Sequence, residues 1–242
     1  MKSVVYKDMY EHELTHWWYC VRRNLVKNLI TTYSQNRKDN QILDIGCGTG
    51  ALMKEIASEG TVTGVDFSAD AVHFCKQRGL ENVVQGSVTS LPFPNDIFDI
   101  VLALDILEHV EDDGQAVQEI SRVLKPGGVA IIFVPAFMML WGSTDEVSEH
   151  KRRYRKNQLL EVIKPNHLKI ERVSYFNFIL FIPILIFRLL ARVLRVTFVD
   201  EYKPGVGFIN ALLYMIFSFE IRVLRYVSFP FGVSIMVLCR KK

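Results

Sequence analysis

The chain has 242 residues, of which 50% are hydrophobic, and its mean hydropathy is +0.16. This length suits one α/β domain with elaborations, and the net charge of +3 is too small to indicate a nucleic-acid partner. The four cysteines form no C-x-x-C pair, so we expect no zinc site, no other metal site and no disulfide framework, which favours a reducing cytoplasm.

Residues 1–40 precede the first predicted strand, and residues 1–33 are predicted to be helical. This charged segment has no apolar core of signal-peptide length, and no run in the chain approaches the roughly 20 uncharged residues of a spanning helix. We therefore expect a cytoplasmic protein. The aromatic group Trp17, Trp18 and Tyr19 is compatible with a lid over a site and equally with packing of a helix on a sheet.

From residue 41 onwards, short apolar runs alternate with helix-like segments. The predicted strands are QILDI, TVTGVD, NVVQGS, FDIVLAL and GVAIIFV, followed later by LKIERVSYF and FGVSIMVLCRKK. This β-α-β-α order predicts an α/β domain over residues 41–242, with a mainly parallel, doubly wound sheet that helices cover on both faces.

A glycine turn follows the first predicted strand in ILDIGCGTGA, residues 42–51. Glycine lacks a Cβ and lets a ligand approach the backbone, and ligands of such sheets bind at the carboxyl ends of the strands. The turn fits G-x-G-x-x-A, a dinucleotide-binding pattern, and also D-x-G-x-G-x-G, an S-adenosylmethionine pattern. The glycines alone leave both cofactors open.

Asp66 ends the second predicted strand, 20 positions after Gly46. A carboxylate at this place can accept hydrogen bonds from both ribose hydroxyls of either cofactor. The neighbouring Phe67 suits packing against an adenine ring or a place in the core. These residues predict a nucleoside site without choosing the nucleoside.

Five stretches occur in order at close spacing: ILDIGCGTG, GVDFS, VVQGSVTSLPF, FDIVLALDILEHVED and RVLKPGG. Together they resemble the class I S-adenosylmethionine-dependent methyltransferases, in particular the group of small-molecule enzymes that includes quinone-biosynthesis methyltransferases. The resemblance covers residues 40–135, and HWWYCVRRNLV and EHKRRY are similar to features of a bacterial subgroup. It implies a Rossmann-like, seven-stranded, mostly parallel sheet with an antiparallel last strand, an N-terminal helical lid and a helical insertion before that strand.

The resemblance also assigns roles to residues. Asp44 and the glycines would lie under the methionine part of the cofactor, Asp66 would bind the ribose, and Leu104 and Asp105 would lie near the sulfonium. Ser87 stands where many relatives have an acid that contacts the adenine amino group. The predicted cofactor-binding residues are Asp44, Gly46, Cys47, Gly48, Gly50, Asp66, Phe67, Ser87, Val88, Leu104 and Asp105.

S-adenosylmethionine is favoured over NAD because Asp44 lies two residues before the first glycine. A carboxylate there is a poor neighbour for a pyrophosphate and a good one for an ammonium and a sulfonium. The chain also has no Y-x-x-x-K pair for hydride chemistry. An NAD-dependent oxidoreductase is the alternative enzyme, and an inactive membrane-associated interaction module on the same scaffold is the alternative without catalysis.

Two histidines are candidates for a general base, if the acceptor must lose a proton. His109 follows the fourth predicted strand, and His150 lies in EHKRRY beside Arg152 and Arg153. Both suit packing or a solvated basic face as well. If the arginines are functional, they suit an anionic small-molecule acceptor.

Residues 176–228 form an unusually apolar insertion. Arg188, Arg192 and Arg195 fall on one stripe of a helix predicted from about Pro183, and a second polar stripe follows at Asn210, Tyr214, Ser218, Arg222 and Arg225. Such helices suit contact with a membrane surface or a lipid, a homodimer interface, or packing on the domain. If they contact a membrane, the protein would be peripheral to its inner face.

Overall fold

The computed structural model describes residues 3–34, 37–194 and 207–242. Two helices, α1 (Ser3–His12) and α2 (Trp17–Tyr33), precede the sheet. The seven strands are β1 (Asn40–Ile45), β2 (Gly60–Asp66), β3 (Val83–Gln85), β4 (Phe98–Leu104), β5 (Leu124–Pro135), β6 (Leu168–Phe176) and β7 (Ser234–Lys241). The remaining α-helices are α3 (Ala51–Ile56), α4 (Ala69–Gln77), α5 (Asp113–Val123), α6 (Ser143–Val147), α7 (Lys156–Ile163), α8 (Phe181–Leu194) and α9 (Gly207–Leu224).

The strands form one sheet in the order β3-β2-β1-β4-β5-β7-β6. Strands β1 to β5 pair in parallel, and β7 runs antiparallel between β5 and β6. The predicted doubly wound sheet with an antiparallel last strand is therefore confirmed. Its order reverses at β1 and β4, where the carboxyl ends of the two strands leave a crevice for a ligand.

The central strands are apolar along their whole length because helices cover both faces of the sheet. Ile42 and Leu43 of β1 point to opposite faces, and both are fully buried. Leu102 of β4 and Ile131 and Ile132 of β5 are fully buried as well. This two-sided burial fixes the edge at which the glycine turn and the ends of β2 and β4 meet.

Helix α2 packs against α9 through aromatic rings. The Trp18 ring stacks on Phe217 with a centroid distance of 5.3 Å and on Phe176 at 6.2 Å. Phe217 and Phe176 are completely buried. The aromatic group of the N-terminal segment is thus part of a core that joins α2, α9 and β6.

The polar side chains of α8 face the domain. Arg188 donates from Nη1 to the Leu140 carbonyl at 2.7 Å, and Arg192 donates to the Trp141 carbonyl at 3.1 Å. The helix begins at Phe181, slightly before the predicted Pro183. The predicted arginine stripe therefore docks the helix on the domain, while Arg195 lies outside the described residues.

The first part of the polar stripe of α9 also faces inwards, whereas Arg222 and Arg225 at its end are exposed. Asn210 accepts from the Trp17 amide at 2.9 Å and donates to the Thr15 carbonyl, and Tyr214 accepts from Asn24. Arg225 lies just beyond the end of the helix. With these groups turned to the N-terminal segment, the apolar sides of α8 and α9 are left exposed.

The exposed apolar surface of α8 and α9 is extensive. Its most exposed members are Val193 at 78% and Phe208 at 77%. The other members are Ile182, Ile186, Phe187, Leu189, Leu190, Leu194, Ile209, Leu212, Met215 and Phe219. We call these twelve residues the apolar face; a soluble surface helix would normally turn such residues towards the core.

Within the described residues, α9 alone is long and apolar enough to cross a membrane, with 18 residues, a mean hydropathy of 1.5 and 22% of its length buried. This differs from the expectation that no segment approaches that length. The side of α9 that carries Phe217, Ile221 and Leu224 is nevertheless buried against the domain. Glu220 on the same side accepts a hydrogen bond from the Ile179 amide at 2.9 Å, which ties the helix to the loop after β6.

Candidate active site

The glycine turn joins β1 to α3 with all three glycines in the left-handed region. Their φ angles are 68° at Gly46, 55° at Gly48 and 84° at Gly50, a conformation that other residues adopt only with strain. A Cβ on Gly46 would lie 1.8 Å from the Ile106 side chain. The turn therefore requires glycine for its own geometry, and it leaves backbone open to a ligand at the sheet edge.

Asp66 lies at the end of β2, directly beside this turn. Its Oδ2 accepts from the Gly48 amide at 3.0 Å, and its Oδ1 accepts from the Ser68 amide at 2.9 Å. The Tyr6 hydroxyl of α1 donates to Oδ1 at 3.3 Å. Burial raises the pKa of Asp66, while the hydrogen bonds from Ser68 and Gly48 oppose that shift. The carboxylate is held with both oxygens turned towards hydrogen-bond donors.

Asp44 is buried two residues before the turn. Burial, together with the charges of Asp66 and Glu13, raises its pKa to about 8. Several carboxylates thus share a space where a cationic ligand would offset their repulsion, and a further anion would increase it. Cys47 lies in the same turn, buried, with its sulfur 4.0 Å from that of Cys75.

Phe67 and the loop after β3 form the next part of the edge. Phe67 is 80% exposed, so it has no place in the core and its ring is available to a planar ligand. Ser87 lies within 2.8 Å of the Thr89 hydroxyl and accepts from the Thr89 amide, while Val88 is buried. Ser87 thus stands at the predicted adenine side with its hydroxyl engaged locally.

The end of β4 carries a charged pair that the sequence pattern did not reveal. Asp105 follows Leu104 with a φ of 56°, an uncommon value for a non-glycine residue, and forms an ion pair with Arg22 of α2. The Arg22 guanidinium also lies 5.0 Å from the Trp18 ring centroid. The first arginine of the RR pair in HWWYCVRRN therefore directs its positive charge into the site and not into solvent.

Residues of the α1–α2 segment also contact the glycine turn. Glu13 is buried, hydrogen-bonds the Thr49 hydroxyl and pairs with Arg78 at 2.6 Å. The Met9 sulfur would lie 3.2 Å from a Cβ on Gly48. Tyr6, Met9 and Glu13 were not predicted, because no local pattern links a residue in an N-terminal helix to a turn more than 30 positions later.

The two histidines proposed as bases lie against each other, with ring centroids 4.6 Å apart. Burial and the charge of His150 lower the pKa of His109 to about 4, so its imidazole is neutral and weakly basic at neutral pH. His150 Nδ1 lies 2.8 Å from Asp145 Oδ1. Glu108, which the sequence did not single out, is completely buried beside them.

The arginines of EHKRRY bind the domain itself. Arg153 is buried and donates to both oxygens of Asp145, at 2.7 and 3.0 Å. Arg152 donates to Asp113 and to the Val110 and Glu111 carbonyls. These contacts hold the segment against the turn after β4 and the start of α5, and they withdraw the main support for an anionic acceptor.

Comparison with known proteins agrees with this geometry. Residues 43–132 match the family described as "Methyltransferase domain". A demethylmenaquinone methyltransferase of Staphylococcus aureus strain MRSA252 is 42% identical over 103 residues, which are 39% of this chain and 43% of the relative. The chain thus matches less than half of the length of such curated relatives.

Solved structures extend the likeness to most of the chain at the level of the fold. A SAM-dependent methyltransferase from Archaeoglobus fulgidus superposes with a TM-score of 0.56 and 18% identity, covering 90% of this chain and 94% of that one. The [4+2]-cyclase SpnF gives 0.56 and 24%, covering 89% and 79%. The chain therefore has the class I methyltransferase fold, and its residues 43–132 match the family of methyltransferase domains.

Proposed function

We propose that this protein transfers a methyl group from S-adenosylmethionine to an apolar small molecule of the quinone or lipid type. The observation that carries the proposal is the pairing of an open glycine turn with two buried carboxylates, Asp44 and Asp66, at the carboxyl edge of the sheet. The family match over residues 43–132 supports the same cofactor.

The residues present fit this cofactor better than NAD. Asp66 offers a carboxylate to a ribose diol, and Asp44 offers one to an ammonium or a sulfonium, whose positive charge would favour its ionised form. The exposed Phe67 ring offers a stacking surface to an adenine. A pyrophosphate would have to lie among carboxylates whose pKa values burial already raises. The oxidoreductase alternative is therefore the weaker one.

When bound, the cofactor supplies a methyl group already activated by a positive sulfur. The chain then has to orient the acceptor in line with that group, and orientation of this kind is worth on the order of 7–11 kcal/mol. We assign Leu104 and Asp105, at the end of β4, to the place where the acceptor would meet the methyl group. The uncommon backbone of Asp105 and its pairing with Arg22 hold its carboxylate in one place.

The α1–α2 segment, residues 1–40, is assigned the role of a lid. Within the described residues, Tyr6 and Glu13 contact Asp66 and Thr49 on the cofactor side of the glycine turn. A lid at this position excludes water from the site, which strengthens the electrostatic interactions inside it. The segment would open to admit the cofactor and close over it.

An apolar acceptor is favoured over an anionic one for two reasons. The arginines that would attract an anion, Arg152 and Arg153, are paired with Asp113 and Asp145. The relative from Staphylococcus aureus is named for a quinone substrate, and it matches 39% of this chain. The acceptor class follows from these features and from the apolar face.

We assign the protein a peripheral place at the inner face of a membrane, where an apolar acceptor would be dissolved. The apolar face of α8 and α9 would enter the lipid, because Arg188, Arg192 and Asn210 bind the domain and leave the apolar sides facing outwards. Arg222 and Arg225, exposed beside it, would meet anionic headgroups. The alternative to lipid is that a second copy of the chain covers the same face in a homodimer.

Methyl transfer from labelled S-adenosylmethionine tests the proposal. The purified protein is offered demethylmenaquinone in mixed vesicles, in its oxidised and in its reduced form. The matched control acceptor is a water-soluble naphthoquinone without the lipid tail. We expect label in the lipid-extractable product and less with the soluble acceptor. Cofactor binding without transfer to any acceptor would favour the inactive interaction module, and transfer confined to soluble acceptors would refute the apolar acceptor.

A further inference from the structure

Three side chains that could bind a cation converge where β4 and the EHKRRY segment meet. Glu108 and His109 come from the short 3-10 turn after β4 (Leu107–His109), and His150 comes from the segment after α6. One ligand atom of each lies within 4.8 Å of the others. The Lys151 amide donates to the Glu108 carbonyl at 2.8 Å, so the backbones of the two segments are joined beside the cluster.

Glu108 is the unusual member. Its side chain is inaccessible to solvent, and neither carboxylate oxygen has a hydrogen-bond partner among the described residues. His150 Nε2 lies 4.0 Å from its Oε1, and the positive charges of Arg22 and Arg153 also act on the Glu108 carboxyl. A buried carboxylate without partners is costly, whereas a bound cation offsets that cost directly.

His150 is oriented as metal-binding histidines commonly are. Asp145 Oδ1 lies 2.8 Å from Nδ1, which leaves the Nε2 lone pair directed towards Glu108. Asp145 is itself held by Arg153 and Arg188, so the carboxylate cannot easily turn away. A carboxylate that fixes the outer nitrogen of an imidazole sets its tautomer and strengthens it as a ligand.

We propose that Glu108, His109 and His150 bind one divalent transition-metal ion of the zinc class. Two imidazoles and one carboxylate are a ligand set of open zinc sites, whereas Mg²⁺ and Ca²⁺ prefer oxygen ligands only. Zinc–nitrogen and zinc–oxygen distances of about 2.0–2.2 Å require the three ligand atoms to move together by less than about 1 Å. The expectation of no metal rested on cysteine spacing, which does not bear on this set.

The ion would link the turn after β4 to EHKRRY. The half-buried His109 and His150 leave a route from solvent to the cluster, and three protein ligands leave a coordination position for water or another small ligand. The proposal does not depend on methyl transfer, since ion binding is measured without cofactor or acceptor.

Cobalt titration tests the site. The full-length protein, treated with a chelator and exchanged into chelator-free buffer, is titrated with Co²⁺, whose visible d–d absorption reports a site with nitrogen ligands. We expect one equivalent to bind and Zn²⁺ to displace it. The proposal would be overturned if Co²⁺ gave no stoichiometric absorption change and calorimetry detected no binding of Zn²⁺.

Variants locate the ion. Glu108→Gln preserves the shape of the buried side chain, and His109→Ala removes a second ligand; each should abolish the stoichiometric signal. Asp145→Asn should weaken binding by about 10- to 100-fold, as loss of an outer partner does. His73→Ala, on the exposed side of α4, is the matched histidine control and should bind normally. Circular dichroism checks folding, and undiminished binding by folded Glu108→Gln and His109→Ala would refute the assignment.

Discussion

The Tyr6 hydroxyl donates to Oδ1 of Asp66, which couples the N-terminal helix to the carboxylate that we assign to the cofactor ribose. The bond joins residues 60 positions apart and lies in a buried environment. Burial and the Asp66 charge both raise the pKa of the Tyr6 phenol, so the hydroxyl is a proton donor at all physiological pH values. The N-terminal helix therefore occupies a hydrogen-bonding position that a ribose hydroxyl would use.

Tyr6→Phe tests this competition. The substitution removes the hydroxyl and leaves the ring, so the ribose no longer has to displace a hydrogen bond of about 0.5–1.5 kcal/mol. We expect S-adenosylmethionine to bind about two- to tenfold more tightly, as measured by isothermal titration calorimetry. Weaker binding would mean that Tyr6 holds the cofactor instead of competing with it.

Asp44→Asn tests the environment of the glycine turn through its pH dependence. The folded pKa of Asp44 is about 8 and the unfolded value is about 3.9, so the folded state holds the proton more strongly. Its contribution to stability is complete below the unfolded pKa and is lost as the pH rises through 8. Asparagine does not titrate and avoids this loss.

The unfolding free energy of Asp44→Asn, relative to wild type, should therefore rise with pH by up to about 1.4 kcal/mol per unit and level off above about pH 8. Urea unfolding from about pH 5 to about pH 9 measures the difference, and Asp70→Asn on the exposed first turn of α4 is the control. A constant difference across this range would show that Asp44 is ionised throughout.

Phe217→Ala tests how α9 is attached. Phe217 is 0% exposed and stacks on Trp18, so its removal leaves a cavity between α9 and α2. We expect a loss of about 3–5 kcal/mol in unfolding free energy. Chemical denaturation measures it, and a loss below about 1 kcal/mol would show that α9 is not anchored through this ring.

Phe219→Ala tests the apolar face with the same chemical change two positions along the same helix. Phe219 is 60% exposed, so its loss should change the unfolding free energy in solution little. If the face enters lipid, vesicle flotation should show about 10- to 100-fold weaker binding, since burial of a Phe side chain is worth roughly 1.5–3 kcal/mol. Unchanged flotation with a shift from dimer to monomer would assign the face to a homodimer.

The glycine-turn side of the candidate site was predictable because its signals are local. Gly46, Gly48 and Gly50 follow an apolar strand directly, and Asp66 ends the next strand at a regular spacing. The strand pattern likewise predicted the sheet, since two-sided burial makes β1, β4 and β5 continuously apolar. Each of these inferences needs only the residues of one strand or of two consecutive strands.

The remaining features depend on long-range placement. No pattern within a segment joins Arg22 to Asp105, and Glu108 reads as one more polar residue beside His109. The polar stripes of α8 and α9 were visible, but a stripe does not say whether it faces solvent or the protein. Arg188 and Asn210 show that both stripes contact the protein over part of their length, which leaves the apolar sides of the helices exposed.

Cofactor binding by Asp66→Asn tests the central claim most directly. Charge-assisted hydrogen bonds are worth about 1.5–3 kcal/mol each, so isothermal titration with S-adenosylmethionine and S-adenosylhomocysteine should show wild-type binding and about 10- to 100-fold weaker binding by this variant. Asp70→Asn, four positions later and exposed, should bind as wild type does. No binding of either ligand by the folded wild-type protein, or equal binding by wild type and Asp66→Asn, would contradict the account.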